Sequence, residues 1–225
     1  MRKTIFLSTA AAALILVAGC IVSDELTTIT IQPDGSVDWI RFRSNIRSTE
    51  KGAKGEQELK KLVDEFDAHK DSDFVRIAEA GGEVLEARWV RREEPYAALV
   101  TARFPTVSAF EKFCTIKDEK GEVLAQPRFT QDGNRRRLSM KIPVPRDEQP
   151  AAKAPPSFQE WRDQQANSIS ETRLVVAGGR IIASQGFVVA GDKRSCLLDP
   201  SQIDELLRSH TGHVELFLER ELGDK

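Results

Sequence analysis

The sequence predicts an α+β fold built on antiparallel β-hairpins, with helices packed on one side and a smaller C-terminal hairpin–helix–strand unit. Runs rich in β-branched residues flank short turns made of Gly, Pro, Asn, Asp or Ser. Amphipathic stretches, with apolar residues at i, i+3, i+4 and i+7, lie between those runs. The composition, 40% hydrophobic and 30% charged, is that of a globular domain.

The first half of the chain predicts two hairpins and three helices. Pro33-Asp34-Gly35-Ser36 has the residue types of a turn, and Gly81-Gly82 is a helix stop because glycine accepts the left-handed conformation of a cap. In order, the predicted elements are strand 26–31, strand 37–46, a helix with Leu59, Leu62, Val63 and Phe66 on one face, a helix with Phe74, Ile77 and Ala78, strands 84–92 and 96–104, and a short helix that a capping box at Ser108 and Glu111 opens.

The second half predicts two further hairpins, a well-specified helix and a last strand. Asp199 and Pro200 have the residue types of an N-cap and a first helical position, and Leu198 with Ile203 has the spacing of a hydrophobic staple. In order, the elements are a hairpin that turns at residues 132–134, a helix opened by Ser157 and Glu160, a tight hairpin of 174–177 and 180–184 around Gly178-Gly179, the helix after Asp199, and a strand with Val214, Leu216 and Leu218 on one face.

The N-terminus has the three parts of a secretory signal. Arg2 and Lys3 form a basic start, the uncharged run 4–17 is too short to span a bilayer, and small residues precede Cys20. Val17-Ala18-Gly19-Cys20 resembles the lipobox of bacterial lipoproteins. The resemblance implies that residues 1–19 are removed and that Cys20 carries the lipid, which holds the protein at the membrane. An ordinary secretory signal with a chance cysteine is the alternative.

The rest of the chain divides, in the prediction, at a proline-rich segment. Residues 20–25 form the lipidated N-terminus and a short tether, and residues 26–142 form the main α+β domain. Five prolines make residues 143–156 a linker or long loop, and residues 157–225 form the smaller unit, which can share the sheet of the main domain.

Two cysteines remain when Cys20 is lipidated. Disulfides persist in exported proteins, so Cys114 and Cys196 could form one. The alternative, of equal weight, is two separate buried thiols that act as small apolar residues.

No local motif predicts catalysis, a metal or a cofactor. His210 and His213 are separated by a helix terminator and lack the i, i+4 spacing of helical zinc motifs. The glycines at 178, 179, 186 and 191 match no phosphate-binding pattern, and no serine lies in G-x-S-x-G. We therefore predict no catalytic residues, no metal site and no cofactor.

The arginines could form a basic surface at the membrane, although a face interleaved with acids is the favoured interpretation. The formal net charge is only −2, so nucleic acid is excluded as an expected partner. The arginines concerned are Arg41, Arg43, Arg88, Arg91, Arg92, Arg135, Arg136 and Arg137.

The order of the lipobox, a short spacer and residues 26–37 resembles the start of LppM-type envelope lipoprotein domains. Those domains begin with a similar strand, Asp-Gly turn and strand. The resemblance implies an α+β fold and a non-catalytic role, and it assigns no residue.

Together these observations predict a membrane-anchored envelope lipoprotein, a binding or assembly protein held close to the membrane on its extracytoplasmic side. In a cell with an outer membrane, that membrane is the expected site, facing the periplasm. The expected partners are the membrane, through the lipid on Cys20, and another envelope protein. The alternatives are an extracytoplasmic hydrolase whose site is assembled from distant residues, and a carrier of apolar ligands.

Overall fold

The computed structural model describes residues 21–117, 123–143, 170–209 and 213–222. Within these ranges the chain forms thirteen strands and four helices. The strands are β1 (Ile21–Ile31), β2 (Val37–Ser48), β3 (Glu83–Arg91), β4 (Tyr96–Phe104), β5 (Ile116–Lys117), β6 (Val123–Ala125), β7 (Pro127–Asp132), β8 (Arg135–Pro143), β9 (Ser170–Val176), β10 (Gly179–Gln185), β11 (Phe187–Val189), β12 (Ser195–Leu198) and β13 (His213–Leu222). The helices are α1 (Ala53–Asp67), α2 (Ser72–Glu79), α3 (Val107–Cys114) and α4 (Pro200–Ser209).

Two sheets contain most of the described strands. The first has seven strands in the order β11-β12-β9-β1-β2-β4-β3, and the second has four in the order β10-β13-β8-β7, while β5 and β6 form a separate pair. Among the described pairings, only β1 with β9 is parallel. The predicted fold class, mixed α+β with antiparallel sheets, is confirmed at this level.

The first hairpin forms as predicted, but it begins earlier. The backbone N–H and the hydroxyl of Ser36 donate to Asp34 Oδ1 at 2.9 and 2.8 Å, which closes the turn. Strand β1 starts at Ile21, whose Cα partner is Ser48. The prediction of a tether over residues 21–25 is therefore wrong. Ile21 is β-branched and packs against the core, so the strand extends up to Cys20, which itself lies outside the described residues.

Gly178-Gly179 does not close the tight hairpin that the sequence predicts. Strand β9 belongs to the first sheet and β10 to the second, so the two glycines carry the chain from one sheet to the other. Gly178 has φ +71°, and a Cβ there would lie 2.8 Å from Pro33 Cγ. A Cβ on Gly179 would lie 2.6 Å from the backbone oxygen of Glu221. Only glycine allows this close crossing.

The inner face of the large sheet packs on two different layers. Phe66 of α1, Phe74 of α2 and Phe110 of α3 join one apolar cluster with Trp39 and Phe104 of the sheet. A second cluster joins strands β9 and β12 of the large sheet to β10 and β13 of the small one; its buried members are Leu174, Val176, Ile181, Cys196 and Leu218. The two sheets therefore meet face to face at one side of the helical layer.

The chain segments on either side of the predicted linker share both sheets. Strand β9 pairs with β1, and β13 pairs with β8 along the whole of β8. Residues 144–156, like the helix predicted from Ser157 and Glu160, lie outside the described residues. Strands from both of the predicted units thus build each sheet.

Side-chain caps determine where the helices begin. Asp71 accepts hydrogen bonds from the backbone N–H groups of Asp73 and Phe74 at the start of α2. Asp199 does the same for Ser201 and Gln202, as predicted. The N-cap of α3 is Thr106 and not the predicted Ser108, because Thr106 Oγ1 accepts the bond from Ala109 N.

Candidate functional site

A cleft of about 410 Å³ opens between the two sheets and the first turn of α3. We call it the inter-sheet cleft. Its walls are the end of β1 with the turn at Asp34-Gly35, the start of α3, and the inward faces of β7, β8 and β13. Phe129, Leu138 and Leu218 give it an apolar floor.

Two arginines point into this cleft because of strand alternation. On β13 the buried row Val214, Leu216 and Leu218 continues to Arg220. On β8, Arg136 has the same parity as Leu138, which faces Leu218 across the pair. Arg136 and Arg220 are direct Cα partners, so both guanidinium groups lie at the end of one inward-facing row.

Arg220 is the more buried of the two, with 2% of its surface exposed. Its Nη1 donates to Ile31 O at 3.2 Å and to Ala177 O at 3.0 Å, and its Nη2 donates to Gln32 O at 3.5 Å. Burial, and then the charge of Arg136, lower the pKa of Arg220 to about 10, so it remains a cation at neutral pH. These partners are backbone carbonyls, and no described carboxylate forms an ion pair with Arg220.

Arg136 has the weaker set of partners. Its Nη1 donates to Pro33 O at 3.4 Å, and its Nε is buried without a hydrogen-bond partner among the described residues. A buried donor without an acceptor is rare in folded proteins. Among the described residues, the inter-sheet cleft is thus the place where a buried side-chain N–H group has no acceptor.

The other arginines of the predicted basic surface all have acidic partners within 4.0 Å. Arg137, next to Arg136 but on the opposite face of β8, lies 3.2 Å from Glu215. The remaining pairs join Arg41 to Glu25 and Asp73, Arg43 to Glu25, Arg88 to Glu86, Arg91 to Glu93, Arg92 to Asp67 and Arg135 to Glu219. Of the eight, Arg136 alone has no acidic partner in the described part of the chain. The arginines thus form faces interleaved with acids, the interpretation that the sequence favoured.

The two carboxylates that line the cleft accept hydrogen bonds from groups other than the two arginines. Asp34 is held by Ser36, whose hydrogen bonds lower the pKa of that carboxyl. Glu111 accepts a hydrogen bond from the backbone N–H of Phe129 at 2.6 Å. Neither carboxylate forms an ion pair with Arg136 or Arg220 within the ranges that the structure covers.

Two other recesses differ from the inter-sheet cleft. One, of about 410 Å³, lies between α1 and β3, where Asp67 accepts from Trp89 Nε1 at 2.9 Å and also binds Arg92. The other, of about 470 Å³, lies along β10. No described side-chain atom of either recess is buried without a partner. The inter-sheet cleft is for this reason the candidate site.

The structure has Cys114 and Cys196 as free thiols, so the disulfide that the sequence left open is not formed. Cys114 packs against the helical cluster, whereas Cys196 is buried in the cluster between the sheets. Burial raises the pKa of each thiol to about 12. The arrangement is the second of the two that the sequence allowed, in which each thiol serves as a small apolar side chain.

The described residues bear only in part on the cysteine predicted to be lipidated and on the histidine pair. Cys20 and His210 lie outside them, and His213 begins β13. The described residues contain no group of His, Cys, Asp and Glu side chains that could hold a metal ion. None of the described helices is long and apolar enough to cross a membrane.

No local pattern in the sequence marks Arg136 and Arg220 as a pair. The sequence does indicate the direction of each side chain. Arg136 continues the alternating apolar row of Met140 and Leu138, and Arg220 continues that of Leu216 and Leu218. The pairing of β8 with β13, which no local signal indicates, brings the two arginines together.

No protein-family model matches the sequence, and no curated protein matches it. Among solved structures, the chain is similar to the NMR structure of the folded domain of LppM from Mycobacterium tuberculosis. The TM-score is 0.45 at 10% sequence identity, and the match covers 100% of this chain and 97% of that chain. This is the protein family whose first hairpin the sequence resembles.

Proposed function

We propose that this protein is a lipid-anchored envelope protein that binds a ligand in the inter-sheet cleft and performs no chemistry on it. The observation that carries the proposal is the cleft itself, which has an apolar floor and two arginines that pair with no acid of the described residues. An apolar recess with a few convergent polar groups is the usual form of a ligand site. The cationic groups there can fix the orientation of a ligand.

The lipobox resemblance at Cys20 supports the anchored location. Strand β1 begins at the next residue, so the folded domain starts at the anchor without a spacer. At about 3.3 Å per residue, the strand carries its far end up to about 33 Å from Ile21. Ile31, at that end, lines the cleft. The binding site and the anchor thus lie at opposite ends of one strand.

Native mass spectrometry of the protein purified from its own envelope in a neutral detergent tests the binding proposal. We expect a bound small molecule in the parent protein. Ser108→Trp places an indole at the cleft mouth, where Ser108 lines the wall, and should remove that molecule. Ser72→Trp, in the first turn of α2 and away from the cleft, is the matched control and should retain it. Equal occupancy in both variants, or no bound molecule in the parent, would refute the proposal.

Metabolic labelling with palmitate tests the anchor. The parent should incorporate the label and remain with the membrane fraction, whereas Cys20→Ser should be unlabelled and released. If Cys20→Ser remains with the membrane fraction as the parent does, the lipid on Cys20 is not what holds the protein there.

A further inference from the structure

The arrangement of Arg136 and Arg220 contains two unfavourable features that a single ligand group would remove. The first is the buried Nε–H of Arg136, which has no acceptor among the described residues. A buried donor of a charged group gains most from an ionised acceptor. An oxygen atom with negative charge, placed next to that nitrogen, would satisfy it.

The second feature is the repulsion between two cations. Directly opposite residues of an antiparallel pair have Cα atoms about 4.5 to 5.5 Å apart, and like charges at that position destabilise the pair. On the outer face of the same strands, Arg137 faces Glu219 and also contacts Glu215, so its charge is balanced. On the inner face no carboxylate of the described chain balances Arg136 and Arg220.

The surroundings limit the kind of group that fits. The two carboxylates of the cleft wall are held in place by other donors, Asp34 by Ser36 and Glu111 by the backbone N–H of Phe129, and neither pairs with Arg136 or Arg220 within the described residues. The first turn of α3 also lines the wall, and the amino end of a helix favours negative charge. Phe129 and Leu138 lie beside the arginines and offer an apolar surface to the rest of a ligand.

We infer that the inter-sheet cleft binds an oxyanion, a phosphate or carboxylate group, between the guanidinium groups of Arg136 and Arg220. The ligand that carries this group also has an apolar portion, which packs on Phe129 and Leu138. Guanidinium groups present planar forks of donors that match both kinds of oxyanion. This inference rests on the proposed function, because it names the ligand class of the same cleft.

Isothermal titration of the full-length protein in a neutral detergent tests the inference. The probes are inorganic phosphate, n-butyl phosphate and butyrate, all at neutral pH. We expect saturable binding of n-butyl phosphate or butyrate, whichever oxyanion the site prefers, and weaker binding of inorganic phosphate because it lacks the apolar portion. Arg136→Met should weaken the preferred probe about tenfold or more, as expected for the loss of a charge-assisted hydrogen bond.

Two further variants keep the test decisive. Arg135→Met removes an arginine from the outer face of the same strand, where Arg135 pairs with Glu219, and should leave the affinity unchanged. Arg136→Lys retains the charge without the fork and should give an intermediate affinity, which also covers the case that the methionine variant does not fold. Equal affinities in the Arg136→Met and Arg135→Met variants, or no binding of any probe by the parent, would overturn the inference. If the parent binds none of the probes but Ser108→Trp still removes its native ligand, the inference fails while the proposed function stands.

Discussion

Replacing Arg220 by methionine tests how the two sheets are joined at the cleft. Arg220, on β13 of the small sheet, donates to Ile31 O at the end of β1 and to Ala177 O directly after β9. Both acceptors belong to the large sheet or follow it directly. Methionine is unbranched and fills much of the same space, so the change removes the donors and the charge with little loss of packing.

The expected loss of unfolding free energy depends on the three carbonyl oxygens that accept from Arg220. Ile31 O and Gln32 O keep second donors, the backbone N–H groups of Ala177 and Gly35, at 3.1 and 3.2 Å. Losing Arg220 should cost roughly 0.5–1 kcal/mol at each of these, and about 1.5–3 kcal/mol at Ala177 O, which accepts the shortest of the three bonds. Methionine carries no charge, so the variant avoids the cost of burying a cation, and this offsets part of the loss. We expect the free energy of unfolding to fall by about 2 kcal/mol.

Urea unfolding followed by tryptophan fluorescence measures this change. The matched control is Arg180→Met on β10, where the side chain is 68% exposed and pairs with Glu221 at 3.0 Å. An exposed ion pair contributes about 0–1 kcal/mol, so this variant should unfold almost as the parent does. If Arg220→Met costs no more than Arg180→Met, the carbonyl bonds of Arg220 do not join the sheets. If Arg220→Met is more stable than the parent, the cost of burying the charge exceeds the value of those bonds.

Three further predictions concern the thiols, the buried ion network and a helix cap. With pKa values raised to about 12, Cys114 and Cys196 should stay unreactive toward iodoacetamide at pH 8 in the folded protein and react after unfolding without reductant. Because the ordinary thiol pKa is 9.0, the folded state holds the protons more tightly, and the free energy of unfolding should fall as the pH rises from about 9 toward 12. Arg41→Met leaves the buried carboxylate of Asp73 without its cation and removes one of the two arginines that pair with Glu25, so it should lower the free energy of unfolding by roughly 2–3 kcal/mol in urea. Asp71→Ala removes the cap of α2 and should cost about 1 kcal/mol in the same assay.

Each of these predictions has its own control. For the thiols, the Cys20→Ser variant leaves Cys114 and Cys196 alone in the count, and a reaction that requires reductant would show that they are bonded. For the ion network, Lys61→Met removes an exposed partner of Glu65, and an equal loss of stability would contradict a special role for Arg41. For the cap, Asp71→Asn keeps an accepting oxygen and should unfold near the parent.

The local elements could be predicted from the sequence because each depends on residues that are close together in the chain. The turn at Asp34-Gly35, the amphipathic face with Leu59 and Phe66, and the cap at Asp199 each depend on residues within a few positions of one another. Side-chain hydrogen bonds and helical periodicity act over that distance, so the sequence alone suffices. The class of the fold, α+β with antiparallel sheets, followed from these elements.

The paths of the chain that the sequence did not predict depend on contacts between residues far apart in sequence. The pair Gly178-Gly179 has the residues of a hairpin turn, yet the space left by Pro33 and Glu221 makes it a crossing between sheets. Ile21 joins β1 because Ser48 is there to pair with it, and no local signal shows that pairing. Hydrogen bonds between distant strands, or contacts in the core, can stabilise a conformation other than the one that local propensity favours.

The candidate site shows the same division most clearly. Strand alternation in the sequence already places Arg136 in line with Leu138, and Arg220 in line with Leu218, on faces that turn inward. The register sets one cation against the other only because β8 pairs with β13, which lies far along the chain. Each charge was thus visible in the sequence, and only the tertiary structure brought the two charges into one cleft.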